Sequence, residues 1–253
     1  MLTEVKEKKK LRFKEGLLSL VIWFFFVLTT FILFLVVLFL TILLYPFDKQ
    51  KKMTHRQCYW WASTIVRLNP YWKLKVTGLE NINHKETYVV VANHQSLADI
   101  IVLYKIKMQF KWVAKSDLFK IPLIGWCLKL IHHIELERGD YGSIKKTYRQ
   151  AAEYLRAGMS VLFFPEGTRS HTDAMNPFQY GAFKLALKEK RPILPIVITG
   201  TRDAIPKGDW IFSAKVNGAL KVLPPIDTST FQMNEFDRLT NTVRSEFEKA
   251  LEA

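Results

Sequence analysis

Between Glu15 and Asp48 the chain carries no charged residue, and from Leu17 to Leu44 only Ser19, Thr29, Thr30 and Thr41 interrupt the apolar run. A stretch this long with no polar face cannot lie as an ordinary surface helix, and it points to a membrane. As one helix those residues extend about 42 Å at roughly 1.5 Å each, against a hydrocarbon core of about 30 Å. One tilted span fits. Two full spans would need about 40 apolar residues, but a shallow hairpin bent near Thr29 and Thr30 and confined to one leaflet also fits. The run is too long for a cleaved signal peptide, and no small-residue cleavage site follows it.

Both flanks are basic, with Lys6, Lys8, Lys9, Lys10, Arg12 and Lys14 before the run and Lys49, Lys51, Lys52 and Arg56 after it. The positive-inside rule therefore favours neither end, whereas a hairpin keeps both flanks on one face. The expectation is that residue 58 shares the side of the N-terminus, with the domain that follows on the cytoplasmic face. Tyr59, Trp60, Trp61, Tyr71 and Trp72 follow, beside basic residues that anionic lipid attracts. Ordinary core aromatics under a solvated basic face explain them equally well. The chain divides into a basic arm (1–16), a membrane segment (17–45), an interfacial basic and aromatic helix (46–70) and an α/β domain (71–253).

Lys plus Arg number 37 against 23 Asp plus Glu, a net charge of +14. A nucleic-acid partner would also suit that charge, but no finger, RNP-like or other binding motif accompanies it. The 49% apolar and 24% charged fractions exclude a disordered polymer. Cys58 and Cys127 are the two cysteines, and no CxxC pair suggests structural zinc or thioredoxin-like chemistry.

After residue 70, β-rich runs alternate with amphipathic segments. Strands are expected at 72–77, 87–92, 110–114, 160–164, 193–199 and 214–223, with a weaker one at 133–137. Helices are expected at 96–107, 116–131, 141–157, 178–190 and 233–252. This order predicts an α/β fold with a mostly parallel or mixed sheet covered by helices, whose ligands gather at the C-terminal ends of strands.

Two strand ends carry polar clusters. The strand TYVVVA runs into Asn93-His94-Gln95-Ser96-Leu97-Ala98-Asp99. On one continuous helix His94 and Asp99 would stand about 140° apart, so contact requires His94 outside the helix. Ser96 as N-cap with Asp99 at N3 makes a capping box and leaves His94 in the preceding loop, free to fold back onto the carboxylate. Asp99 would then fix one imidazole nitrogen while the other takes a proton from a hydroxyl. The alternative is a helix cap beside a structural loop histidine. The second strand, SVLFF, ends in Pro165-Glu166-Gly167-Thr168-Arg169-Ser170. Gly167 permits a tight turn whose N–H groups converge on an anion, and Arg169 and Thr168 add donors matched to phosphate. An ordinary polar turn is again the alternative.

No GxSxG, GxxxxGK[ST], HExxH or GxGxxG occurs, so a covalent serine enzyme, a P-loop enzyme and a zinc protease lack support. His132, His133 and Glu135 do not suit a metal, because adjacent histidines on a strand face opposite ways, and no metal site is expected.

NHQSLAD resembles the N-H-x4-D motif of the glycerolipid acyltransferases, and FPEGTRS resembles their E-G-T-R block. Between them Ala114-Lys115-Ser116-Asp117-Leu118, Pro122, Gly125 and Trp126 are similar to that family's AKxEL and P..GW stretch. Arg138 resembles the arginine that closes the second motif, and Ile193 to Ile198 resemble the fourth block. The second motif departs from the family's G-x-I-F-I-D-R, reading His132-His133-Ile134-Glu135-Leu136-Glu137-Arg138 without the Gly and Phe, which leaves acceptor selectivity open.

The nearest likeness is to 1-acyl-sn-glycerol-3-phosphate acyltransferases. It implies acyl transfer from acyl-CoA or acyl carrier protein to lysophosphatidic acid at a membrane, with no cofactor. It implies His94 and Asp99 as the catalytic pair and Glu166, Gly167, Thr168 and Arg169 at the acceptor phosphate, joined by Lys115 and Arg138. Acyl transfer to another lysophospholipid or an amino-acid lipid is the nearer rival, and a non-catalytic protein binding anionic lipid is the more distant one.

Overall fold

The structure, a computed structural model, describes residues 2–69, 72–170, 174–204, 210–212 and 215–252, with side chains from Lys14 onward, Asp203 apart. Seven strands form one sheet: β1 (Trp72–Thr77), β2 (Val89–Ala92), β3 (Phe110–Lys115), β4 (Ile134–Leu136), β5 (Ser160–Phe163), β6 (Ile193–Thr199) and β7 (Val216–Val222). Their order is β1-β7-β6-β2-β5-β3-β4, and every pair is parallel except β6 with β7. The mixed, mostly parallel sheet is the one the alternation predicts. The seventh strand opens at Val216 rather than 214, and Ala214, like Tyr71, lies outside the described residues.

β2 and β5 read VVVA and SVLF and are buried throughout, the pattern of central parallel strands covered on both faces. Alternate β2 residues serve opposite layers. Val90 packs with Trp61, Ile65, Ile101 and Leu128, whereas Val89 and Val91 pack with Leu155, Phe183 and Phe247. One face is thus covered by α2 (Lys52–Leu68), α3 (Ala98–Leu103) and α5 (Ile124–Leu130). The other carries α6 (Tyr141–Arg156), α7 (Gly181–Glu189) and α8 (Phe236–Glu252).

The helix expected over 116–131 is two pieces, α4 (Ser116–Lys120) and α5, because Pro122 lacks an N–H and disfavours helical backbone at Ile121. Gly125 then sits against α4, where a Cβ would lie 2.2 Å from the Phe119 carbonyl oxygen.

The N-terminal region follows the single-helix alternative rather than the bent hairpin. α1 (Leu2–Leu43) is one helix of 42 residues, so the basic arm continues into the apolar run without a boundary. No bend occurs at Thr29 and Thr30. Their hydroxyls donate to the Phe25 and Phe26 carbonyls at 2.7 and 2.6 Å, which satisfies them within the helix. The reversal comes later, over residues 44–51, after which α2 packs back along α1. Trp61 donates from its indole to Thr30 Oγ1 at 3.1 Å, Phe34 meets Trp126 of α5, and Ser19 Oγ accepts the Phe212 N–H at 2.8 Å. Trp61 is buried, and Trp60 and Trp72 are half-buried with their apolar sides packed against the core.

Candidate active site

Three adjacent strands, β5, β2 and β6, end on the same edge, and the loop after each brings one part of the site. After β2, the buried Asn93 carboxamide accepts from the Ile198 N–H at 2.7 Å and donates to the Ile198 carbonyl at 2.8 Å. It behaves as one more rung of the β2–β6 pairing and fixes where the loop departs. His94 follows outside the helix, and α3 opens at Ala98.

Asp99, fully buried in the first turn of α3, receives the His94 Nδ1–H on Oδ2 at 2.8 Å. The same oxygen accepts the Gln95 and Ser96 amides at 2.7 and 2.8 Å. Half of the expected capping box is thus present. The reciprocal half is absent, since Ser96 Oγ accepts from Ala98 N at 3.3 Å rather than from Asp99. With Nδ1 held, Nε2 is the ring nitrogen left for chemistry, and the imidazole stacks on Phe164 with centroids 4.1 Å apart.

After β5, Gly167 takes φ +72, the left-handed region that a glycine enters without strain, and its N–H closes a turn onto the Phe164 carbonyl. Glu166 turns inward. Its Oε1 accepts the His94 N–H and its Oε2 the Asn176 N–H, both at 2.8 Å. Burial holds its carboxyl above the ordinary value, against the opposing pull of those two amides. The Ser170 N–H donates back to the His94 carbonyl at 2.9 Å. Both strand-end loops form one hydrogen-bonded unit.

A cavity of about 680 Å³ opens beside His94. Lys115, Arg138, Glu166, Gly167 and Thr168 line it with His94, so six of the sequence-derived site residues share one wall system. Asp99 stands behind His94. Arg169 follows Thr168 on the loop but is not among the lining residues. Lys115, half-exposed, pairs with Asp117. Leu97, Ile100, Trp112, Leu118, Ile144 and Phe163 make much of the remaining wall apolar. Among the described residues no three His, Cys, Asp or Glu side chains converge as a metal site.

Three participants escaped the sequence reading. Phe164 supports the His94 ring, Asn176 holds Glu166, and Thr201 donates to Asp99 Oδ1 at 2.5 Å. Thr201 follows the end of β6, so the rule that places sites at parallel strand ends carried the signal. Asn176 had none, lying in an irregular segment 10 residues beyond Glu166.

A histidine–carboxylate pair at the mouth of an apolar cavity, with cations at its rim, defines a site suited to general-base transfer onto an amphipathic, anionic molecule. The Acyltransferase family profile matches residues 73–199, which takes in all of these residues except Thr201, and the chain belongs to that family. It is 37% identical over 164 residues to a chloroplastic 1-acyl-sn-glycerol-3-phosphate acyltransferase of Brassica napus, a match covering 64% of this chain and 47% of that protein. A relative of the same name from Borreliella burgdorferi is 32% identical over 181 residues, covering 71% of this chain and 72% of its own. The chain thus spans about half the length of the Brassica relative and most of the Borreliella one. The crystal structure of the lysophosphatidic acid acyltransferase PlsC from Thermotoga maritima superposes with a TM-score of 0.81 at 30% identity, covering 95% of this chain and 96% of that one.

Proposed function

We propose that the protein transfers a fatty acyl group from acyl-CoA or acyl carrier protein to the sn-2 hydroxyl of 1-acyl-sn-glycerol-3-phosphate, giving phosphatidic acid. The 2.8 Å contact between His94 Nδ1 and Asp99 Oδ2 carries the reading, because it commits Nδ1 as a donor and leaves Nε2 basic on the cavity wall. The relatives named above are acyltransferases of 1-acyl-sn-glycerol-3-phosphate, which supports the acceptor assigned here.

Nε2 removes the hydroxyl proton as that oxygen attacks the thioester carbonyl carbon, and Asp99 stabilises the imidazolium. When the tetrahedral intermediate collapses, the C–S bond breaks and the imidazolium returns its proton to the departing thiolate. No acyl-enzyme forms. Lys115, Arg138 and the Gly167–Thr168 turn hold the acceptor phosphate and bring its hydroxyl towards His94, with Arg169 adding positive charge from the same loop outside the cavity lining. Glu166 has a different task from the one its motif suggests. Both its oxygens already accept backbone amides, which leaves them committed to the protein rather than to a phosphate, so it positions His94 and the turn. The apolar wall takes the acyl chain, at about 0.8 kcal/mol per buried CH₂.

The same reading places α1 on one leaflet. From Ser19 to Val37 one side of the helix is fastened to α2 and the domain, while Leu20, Phe24, Leu35, Phe39 and Ile42 face outward. A helix attached over about 27 Å of its length cannot be surrounded by lipid, so its free side dips into the bilayer surface. Thiol release from acyl-CoA that requires lysophosphatidic acid tests the activity. Release supported equally by an unphosphorylated monoacylglycerol would contradict the phosphate assignment.

A further inference from the structure

We infer that Thr201 is a positioning residue of the catalytic dyad, its hydroxyl holding Asp99 so that the opposite oxygen serves His94. The inference rests on the reading of His94 as the base. Asp99 is fully buried, and its two oxygens are unequally served. Oδ2 takes His94 Nδ1 and the amides of Gln95 and Ser96, all from its own loop. Oδ1 takes the Thr201 hydroxyl at 2.5 Å, across 102 residues of sequence. The other acceptor near that hydroxyl, Gln95 Oε1, is at 3.4 Å, so the single hydroxyl proton belongs to Asp99.

The placement of Thr201 is built into the strand end. Asn93 ties β6 to β2 through both backbone groups of Ile198. Gly200 then turns the chain at φ +69, where a Cβ would meet the Asn217 carbonyl oxygen at 1.9 Å, so no other residue fits. Ala204 N–H donates to the Thr201 carbonyl at 3.0 Å and closes the turn. Thr201 is itself buried, so water cannot substitute readily for a lost hydroxyl. The bond therefore links the end of β6 to the orientation of a side chain on α3.

The chemical consequence has a definite sign. A donor to Oδ1 stabilises the state in which Asp99 is ionised and His94 neutral, the state that abstracts a proton. Removing it makes the dyad bind a proton more readily, so the acid limb of the kcat/KM profile moves to higher pH. Among the described residues, the charged groups nearest the dyad are Glu166 and Arg169 on the β5 loop, Lys115 on β3, Arg138 after β4 and Arg202 beside Thr201 in sequence, and substitution at 201 leaves all five in the chain.

The test compares Thr201→Val and Thr201→Ala with Thr201→Ser in acyl-CoA thiol release, measured across pH with lysophosphatidic acid. His94→Ala and circular dichroism melts of every variant accompany them. Thr201→Val should lower kcat about tenfold or more and raise the acid limb by about one pH unit, as loss of a hydrogen bond to a charged group implies. Thr201→Ala should move the limb in the same sense, and Thr201→Ser should restore both rate and limb to near wild type. An unmoved limb in both hydroxyl-free variants, while His94→Ala is inactive, overturns the role of Thr201 and leaves that of His94 standing. An active His94→Ala overturns the reading beneath it.

Discussion

The backbone N–H of His94 donates to Glu166 Oε1 at 2.8 Å, so the residue proposed as the base is held by the loop proposed to bind the phosphate. The two motifs come from separate strands, β2 and β5, that pair in parallel. Their loops must emerge side by side, and Glu166 converts that proximity into a fixed distance.

Glu166→Ala should therefore behave as a structural and catalytic lesion together. It strands the His94 and Asn176 amides, at about 1–3 kcal/mol for each unsatisfied group. The melting temperature and kcat should both fall, with Glu166→Gln intermediate because it keeps one acceptor oxygen. A direct phosphate ligand would instead show a raised KM for the lysolipid with stability unchanged.

Lys111 predicts a pH dependence of stability. Its side chain is wholly buried, donates to the Ile131 carbonyl at 2.6 Å, and is pushed down to about 7, first by desolvation and then by Lys51 and Lys52, against the pull of Asp48 and Cys58. Between about 7 and the unfolded value of 10.5 the native state binds fewer protons than the unfolded one, so stability rises with pH across that window. The slope is at most about 1.4 kcal/mol per pH unit for one group. Denaturant melts from pH 6.5 to 9.5 should show it, and Lys111→Met should flatten it.

Gly125→Ala should destabilise the fold by about 1–3 kcal/mol, through the clash of a new Cβ with the Phe119 carbonyl. The neighbouring Trp126 contact with Phe34 of α1 should loosen with it, raising protease sensitivity between α1 and the domain. An unchanged melt would show that α4 and α5 can separate freely.

Membrane topology is tested best away from Cys58, which is buried and whose thiol is pushed up to about 12 by desolvation. Met53 lies on the exposed face of α2. A cysteine introduced by Met53→Cys in a Cys58→Ala background should be labelled from the same side of sealed vesicles as an N-terminal tag. Labelling from opposite sides would require α1 to cross the bilayer.

How much of this was legible in the sequence depends on the range of the interactions. β2, β5 and β6 read directly as short apolar runs, the first two closed by polar clusters, since local alternation and strand-end chemistry are carried by adjacent residues. The fold-back of His94 onto Asp99 was legible for the same reason, being a contact across five residues. The break at Pro122 was visible and was outweighed by the apolar pattern around it. Thr30 reads as a helix interruption in isolation, but its hydroxyl bonds backwards within the helix and accepts from Trp61, a partner only the fold supplies. Thr201 stood at a strand end, where the strand-end rule could have found it, but its partner lies 102 residues away, and Asn176 was hidden on an irregular segment where spacing carries no information.

The most direct test of the central claim is thiol release from a long-chain acyl-CoA by purified protein in mixed micelles, with and without lysophosphatidic acid, for wild type and His94→Ala. The proposed mechanism predicts release that depends on acceptor and falls by about 10²–10⁴ in the variant, with lysolipid binding retained. Equal turnover by wild type and a folded His94→Ala would contradict it.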